Sequence, residues 1–339
     1  MSHGHAPPPT EFQLPNAPAD GISSLTFSPT QPDRLLVTSW DKTIRLYDVS
    51  QPVLLGQYET AAAVLDACFA GTSPKRIYSG GLDPVVRGWD IETRTQVSLG
   101  THEAPVKCVK FADAHGVVVT GSWDKTVGLW DPRASAATAV GRYMQPERVF
   151  SLDVVDHTIV VAMAGRHVFL YDIRNMKETL QRRESSLKYM TRAVRCMPDG
   201  RGYVTSSIEG RVAVEFFDPA PAAQAHKYAF KCHRQVVQGV DVVYPVNALA
   251  FHPTQGTFAS GGSDGIVNIW DGFNKKRLRQ YPKYPASISA LAFNCTGNWL
   301  AIASSYTYDE GEKEHPADAI FIRPISESEV RPKLPHPKA

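Results

Sequence analysis

Four aspartates recur at one spacing. Asp41, Asp83, Asp124 and Asp264 each stand seven residues before the Asp that ends an aromatic-Asp pair: Tyr47-Asp48, Trp89-Asp90, Trp130-Asp131 and Trp270-Asp271. A carboxylate beside a histidine could act as a general base, a metal ligand or a hydrogen-bond acceptor. The third use suits the residues around Asp124. With His102, Thr120 and Trp130 it makes a set that can close a buried hydrogen-bond network between a turn and its neighbouring strands. No Walker-type loop, HExxH, GxSxG or zinc-finger spacing occurs, and Cys232-His233 is an isolated pair. The reading is therefore of a chain with no catalytic residues, no metal site and no cofactor.

A second group of residues suits recognition. Trp40 and Trp123 stand directly before their turn aspartates, where the other two copies carry Leu82 and Ser263. A Trp before a tight turn on an open face has little core to enter, and a buried Trp anchor in an interface is worth about 2 kcal/mol or more. The same loops carry Lys42, Lys125, Arg166, Arg211 and Lys231, and the segment 181–192 carries Arg182, Arg183, Lys188 and Arg192 against the single acid Glu184. Together they predict an anionic ligand, either acidic side chains or a phosphate, which a planar guanidinium can meet with two charge-assisted bonds.

The spacing also names the elements that must position these groups. The aspartates ending successive copies, Asp48, Asp90, Asp131 and Asp172, lie 42, 41 and 41 residues apart. That period, with Trp-Asp endings, is the signature of a WD40 β-propeller. The predicted fold is all-β, with seven blades over about 21–50, 63–91, 104–142, 148–182, 192–233, 246–281 and 287–325. In the third blade the strands fall at Val106 to Phe111, Val117 to Thr120 and Val127 to Trp130, with an outer strand near Thr138 to Val140. The segment 11–14 belongs to no repeat and is expected to pair into the last blade, so that no sheet edge is left open. Residues 1–10 and 326–339 read as disordered tails flanking one domain over 11–325.

Composition limits the alternatives. The 339 residues are 43% hydrophobic and 21% charged, which is enough to bury a sizeable core. A net charge of +2 argues against coating nucleic acid through bulk charge. The five cysteines, Cys68, Cys108, Cys196, Cys232 and Cys295, are scattered and read as reduced thiols of a nuclear or cytosolic protein. The N-terminus, with His3, His5 and a Pro run, has no apolar core of a secretory signal, and no apolar run approaches the ~18 residues of a membrane span.

Several runs are more specific than the generic repeat. Asp20-Gly21-Ile22-Ser23-Ser24, the segment 181–189, the run 206–215 (Ser-Ser-Ile-Glu-Gly-Arg-Val-Ala-Val-Glu), the run 228–234 (Tyr-Ala-Phe-Lys-Cys-His-Arg) and the run 273–278 resemble the mitotic-checkpoint propeller of the Bub-three type, over about residues 11 to 325. The sister family, the mRNA-export propeller of the nuclear pore, shares the Glu-Gly-Arg-Val-Ala-Val-Glu signature. The resemblance implies a non-enzymatic adaptor of the spindle assembly checkpoint, nuclear and at the kinetochore in mitosis. Its implied partners are the checkpoint kinase and its kinase-like relative, held through GLEBS segments. The phosphorylated outer-kinetochore scaffold would be read at phosphothreonine in Met-Glu-Leu-Thr motifs, and the inhibitor complex of the anaphase-promoting complex is a further partner. No membrane and no direct nucleic acid are implied. By position, Trp40, Trp123 and Arg192 match the GLEBS surface, with Arg192 facing a peptide glutamate, and Arg211 and Lys231 match the phosphothreonine pocket. Arg183 and Lys188 are added as rim contacts from charge and location alone. Met190 stands where the family is expected to carry Gln, and residues 235–243 differ from it in length or content. The readings that compete are the export adaptor, a substrate receptor of a ubiquitin ligase, and a propeller enzyme, the last of which would need a carboxylate cluster at the channel.

Overall fold

The computed structural model describes residues 10–71, 73–134 and 139–333. Val, Ile and Leu alternate with small or polar residues through the repeats, and they form seven four-stranded antiparallel sheets arranged as blades. The inner strands are Ile22–Phe27, Val64–Ala70, Val106–Ala112, Val149–Val155, Thr191–Cys196, Val246–Phe251 and Ile288–Phe293. The core lies between blades. One cluster joins Leu25 and Val37 of the first blade to Ala301 and Ile320 of the seventh, and another joins Val119 and Leu129 of the third to Leu152 and Val161 of the fourth. A Gly near the end of the second strand serves this packing in blades two, three and six, at Gly80, Gly121 and Gly261. A Cβ on Gly121 would lie 2.6 Å from Val149 in the next blade.

The ring closes as the spacing predicts. Phe12–Gln13 forms the outer strand of blade seven, pairing Phe12 with Ile322 and Gln13 with Phe321. Leu14 beside it is 1% exposed, Phe12 packs edge-on against Trp299, and Glu11 bridges Arg323 at 3.0 Å.

Every inner strand carries the same irregularity. The register slips between its first and third residues, so one residue per blade is bulged out of the ladder. These seven residues are Ser23, Leu65, Lys107, Phe150, Arg192, Asn247 and Ser289, and all of them line the central channel.

Two expectations are corrected, and a segment outside the repeats takes structure of its own. The outer strand of blade three is Gly141–Met144; Thr138 lies outside the described residues. Residues 234–243 form a hairpin, Arg234–Val237 with Val240–Val243. Its turn residues Gln238 and Gly239 both have positive φ, the two-residue geometry that suits the twist of paired strands. Part of the expected C-terminal tail is built onto the ring. Ser326 and Glu329 cap the short helix Glu327–Val330, Val330 is 1% exposed, and Thr257 donates to its carbonyl. The expected N-terminal tail, apart from Thr10, lies outside the described residues, as do residues 334–339. No described helix is long and apolar enough to cross a membrane.

Candidate functional site

The turn aspartates serve the fold first. The His102 Nδ1–H donates to Asp124 at 2.9 Å, and its Nε2 accepts from the Thr120 hydroxyl at 2.7 Å. Trp130 Nε1–H donates to the same hydroxyl at 2.7 Å. Burial pushes the Asp124 carboxyl up, but hydrogen bonds from His102, Thr126 and the Glu103 backbone outweigh it and hold it well below the usual carboxylate range. The sequence reading missed a second such set. His233 bonds Asp264 at 2.9 Å and Ser260 at 2.8 Å, and Trp270 donates to Ser260. The separation from His to Asp is 22 residues in blade three and 31 in blade six. The hairpin 234–243, inserted directly after His233, supplies the difference and hides the match. Among the described residues no group of three or more His, Cys, Asp or Glu could hold a metal.

Turns and connections gather on one face. The backbone N–H of Trp40 donates to Gly21 O, that of Trp123 to Pro105 O, and that of Ile208 to Met190 O. Each turn between second and third strands is thus tied to the connection entering its own blade. On this face Trp40, Trp123 and Arg192 line one cavity of about 570 Å³ with Asp20, Lys107 and Tyr306. Trp40 is 45% exposed, whereas Trp123 is half-buried and its buried Nε1–H has no partner among the described residues. Lys107 was not singled out from the sequence. The signal for it is positional: Lys107 and Arg192 are the bulge residues of blades three and five, which the bulge turns out of the ladder towards the channel mouth. Arg192 is ion-paired to Asp309 at 2.8 Å, and its Nε–H is buried without a partner among the described residues.

Arg211 and Lys231 are direct cross-strand partners at the same end of blade five. Their side chains therefore share one face of the sheet. Glu209 stands at the turn position where blades one, two, three and six have Asp, and it approaches Arg211 at 3.5 Å while accepting from the Lys188 backbone N–H at 3.1 Å. Lys188 is exposed beside this turn. Arg234 donates to the Glu209 and Gly210 carbonyls, which adds a third cation to the site. Of the other rim cations, Lys125 is paired with Glu147 and Arg166 with Glu184, both at 3.0 Å. Lys42, Lys125 and Arg166 have φ near +67°, the conformation that Gly210 and Gly265 supply in blades five and six.

Arg183 does not join the rim. Its guanidinium is turned between blades four and five, where it donates to Gln181, Tyr203 and the Phe217 carbonyl and lies over the Tyr203 ring. The β-strand Thr179–Glu184 points alternate side chains inward, and position 183 falls on the inward side.

The WD domain, G-beta repeat, matches residues 12–48, 93–131 and 228–271. The "Mitotic checkpoint protein BUB3.1" of Arabidopsis thaliana is 57% identical, covering 96% of this chain and 97% of its own length. The "Poly(A)+ RNA export protein" of Schizosaccharomyces pombe is 35% identical over 95% of this chain and 93% of its own. Among solved structures, "Structure of U3-55K" superposes with a TM-score of 0.80 over 93% of this chain and 98% of that one; at 16% identity it speaks to the fold alone.

Proposed function

The chain belongs to the family of mitotic checkpoint Bub3 propellers, and we propose that it acts there as a non-enzymatic adaptor with two peptide sites on one face. The first takes a GLEBS segment of the checkpoint kinase or its kinase-like relative at Trp40, Trp123 and Arg192. The second reads phosphothreonine in Met-Glu-Leu-Thr motifs of the kinetochore scaffold at Arg211 and Lys231. The observation that carries this reading is the convergence of both groups at one end of the ring, with aromatic anchors in a cavity and two cations in cross-strand register.

The chemistry suits a switch. Phosphorylation adds roughly two negative charges and three strong acceptor oxygens. In the free protein Arg211 has, among the described residues, only the longer contact to Glu209, so a phosphate can displace that carboxylate and gain charge-assisted bonds from both cations. Kinase and phosphatase activity would thereby set recruitment of the adaptor, and with it the kinases, to unattached kinetochores in the nucleus of the dividing cell. The inhibitor complex of the anaphase-promoting complex is the downstream partner in this scheme.

Two arms of one experiment test it. Arg211→Ala should weaken a phosphorylated Met-Glu-Leu-Thr peptide by about 1.5 to 3 kcal/mol, roughly ten- to a hundredfold, in a calorimetric titration. Trp40→Ala with Trp123→Ala should abolish co-purification of the kinase. Wild-type affinity in the first arm or stoichiometric kinase in the second would sink the corresponding site. The 35% identical export relative supports a second reading, an mRNA-export adaptor holding a nucleoporin GLEBS segment. A pulldown that returns nucleoporins in place of checkpoint kinases would select it.

A further inference from the structure

The turn between second and third strands is short in the other blades but long in blade seven. Residues 305–318 replace it, between Trp299–Ser304 and Ala319–Pro324. The loop is built, not loose. Tyr306 is buried, its hydroxyl donates to Gly311 O and accepts from the Glu310 N–H, and its ring packs with Tyr308 and His315. This scaffold presents Asp309. One carboxylate oxygen accepts from Arg192 at 2.8 Å; the other accepts from Thr307 at 2.7 Å and from Ser263.

The ion pair stands between two spaces. On one side is the Trp cavity, lined by Arg192, Tyr306 and Tyr308. On the other is a groove of about 680 Å³ between the loop and the hairpin, lined by Met190, Arg192, Val242, Val243, Tyr306 and Asp309 among others. Arg192 and Tyr306 border both. Asp309 satisfies only one edge of the guanidinium, because Arg192 Nε–H stays buried without a partner among the described residues. A carboxylate arriving from the Trp cavity could take Nε and Nη2 together, the stronger two-bond geometry. Lys107, a cation with no ion pair among the described residues, lies in the same cavity to meet further acids.

We propose that Asp309 is an internal carboxylate that occupies Arg192 until an acidic partner segment displaces it, and that the exchange joins cavity and groove into one trough. This rests on the assignment of the Trp cavity to an acidic peptide. It adds that the protein restrains its own peptide site, and that specificity there requires one carboxylate able to outcompete an internal one.

The test uses the full chain and a synthetic GLEBS peptide of the checkpoint kinase, measured by calorimetry. Asp309→Ala should tighten binding about two- to fivefold, the range expected for removing a partly exposed ion pair that opposes binding. Asp309→Asn should shift affinity in the same direction, and it serves where the alanine variant lowers the melting temperature. Replacing the peptide glutamates by glutamine one at a time should cancel the gain for a single position, the one that meets Arg192. Unchanged or weaker binding with both variants, or a gain equal for every peptide, overturns the exchange. Trp40→Ala separates the two ideas. If it abolishes binding while the Asp309 variants have no effect, only the exchange fails; if it leaves binding intact, the peptide site itself is misassigned.

Discussion

At the residue scale, Asp124 shows why a carboxylate near a histidine need not be catalytic. Both its oxygens are occupied, one by His102 and the Glu103 N–H, the other by the Thr126 N–H and hydroxyl. A depressed carboxyl adds stability that is fully present above its unfolded value of about 4 and is lost as pH falls through its folded value. Asp124→Asn should therefore lower the urea midpoint at pH 7, and its deficit against the wild type should shrink as pH drops below about 4. His102→Ala should cost about 2 to 4 kcal/mol at pH 7, since it empties a buried site, removes one donor to the Asp124 carboxylate and takes away the acceptor of the Thr120 hydroxyl. The His102 set was legible because all four residues lie within one repeat at undisturbed spacing. The His233 set was not, because an inserted hairpin lengthens the interval. Arg183 was misread for a different reason: charge says that an arginine seeks a partner, but not whether that partner is a ligand or the next blade's Tyr203 and Phe217 carbonyl.

At the element scale, the blades were readable because each must bury both faces against its neighbours, which imposes the same apolar alternation at the same period. The closing strand was readable by elimination, since a ring without it leaves an open edge. Its hold lies in side chains as well as in ladder bonds: Phe12 and Gln13 pair, the Leu14 N–H donates to the Ile320 carbonyl at 2.8 Å, and the Leu14 side chain is buried in the seam between the seventh and first blades. Leu14→Ala should destabilise by about 2 to 5 kcal/mol, read as a lower urea midpoint with little change in slope. A wild-type midpoint would mean that the seam does not depend on this anchor. The hairpin and the capped helix lay outside the repeat, so periodicity could not find them. The Gln-Gly pair between valines and the Ser326-Glu329 spacing were the local signals available. The inner-strand bulge was also invisible, because a register slip leaves composition unchanged, yet it sets the aim of Lys107 and Arg192.

At the scale of the whole molecule, four of the five cysteines are buried between strands. Burial pushes the Cys108 thiol up to about 11 and Cys232 up to about 12, and raises Cys68 and Cys196 as well. Alkylation at pH 8 should label the native ring only at the partly exposed Cys295 and the denatured chain at all five cysteines, counted by mass spectrometry. Rapid labelling of the other four would show that the ring opens readily. The seam also sets a timetable during synthesis. Glu11 and Arg323 meet across 312 residues of chain. At about 5 to 20 residues per second, the ribosome needs about 15 to 60 s after making the first of these to deliver the second. Throughout that interval Leu14 has no slot and the growing sheet array has two raw edges. The nascent protein must be guarded from aggregation until its last blade is translated, however stable the finished ring.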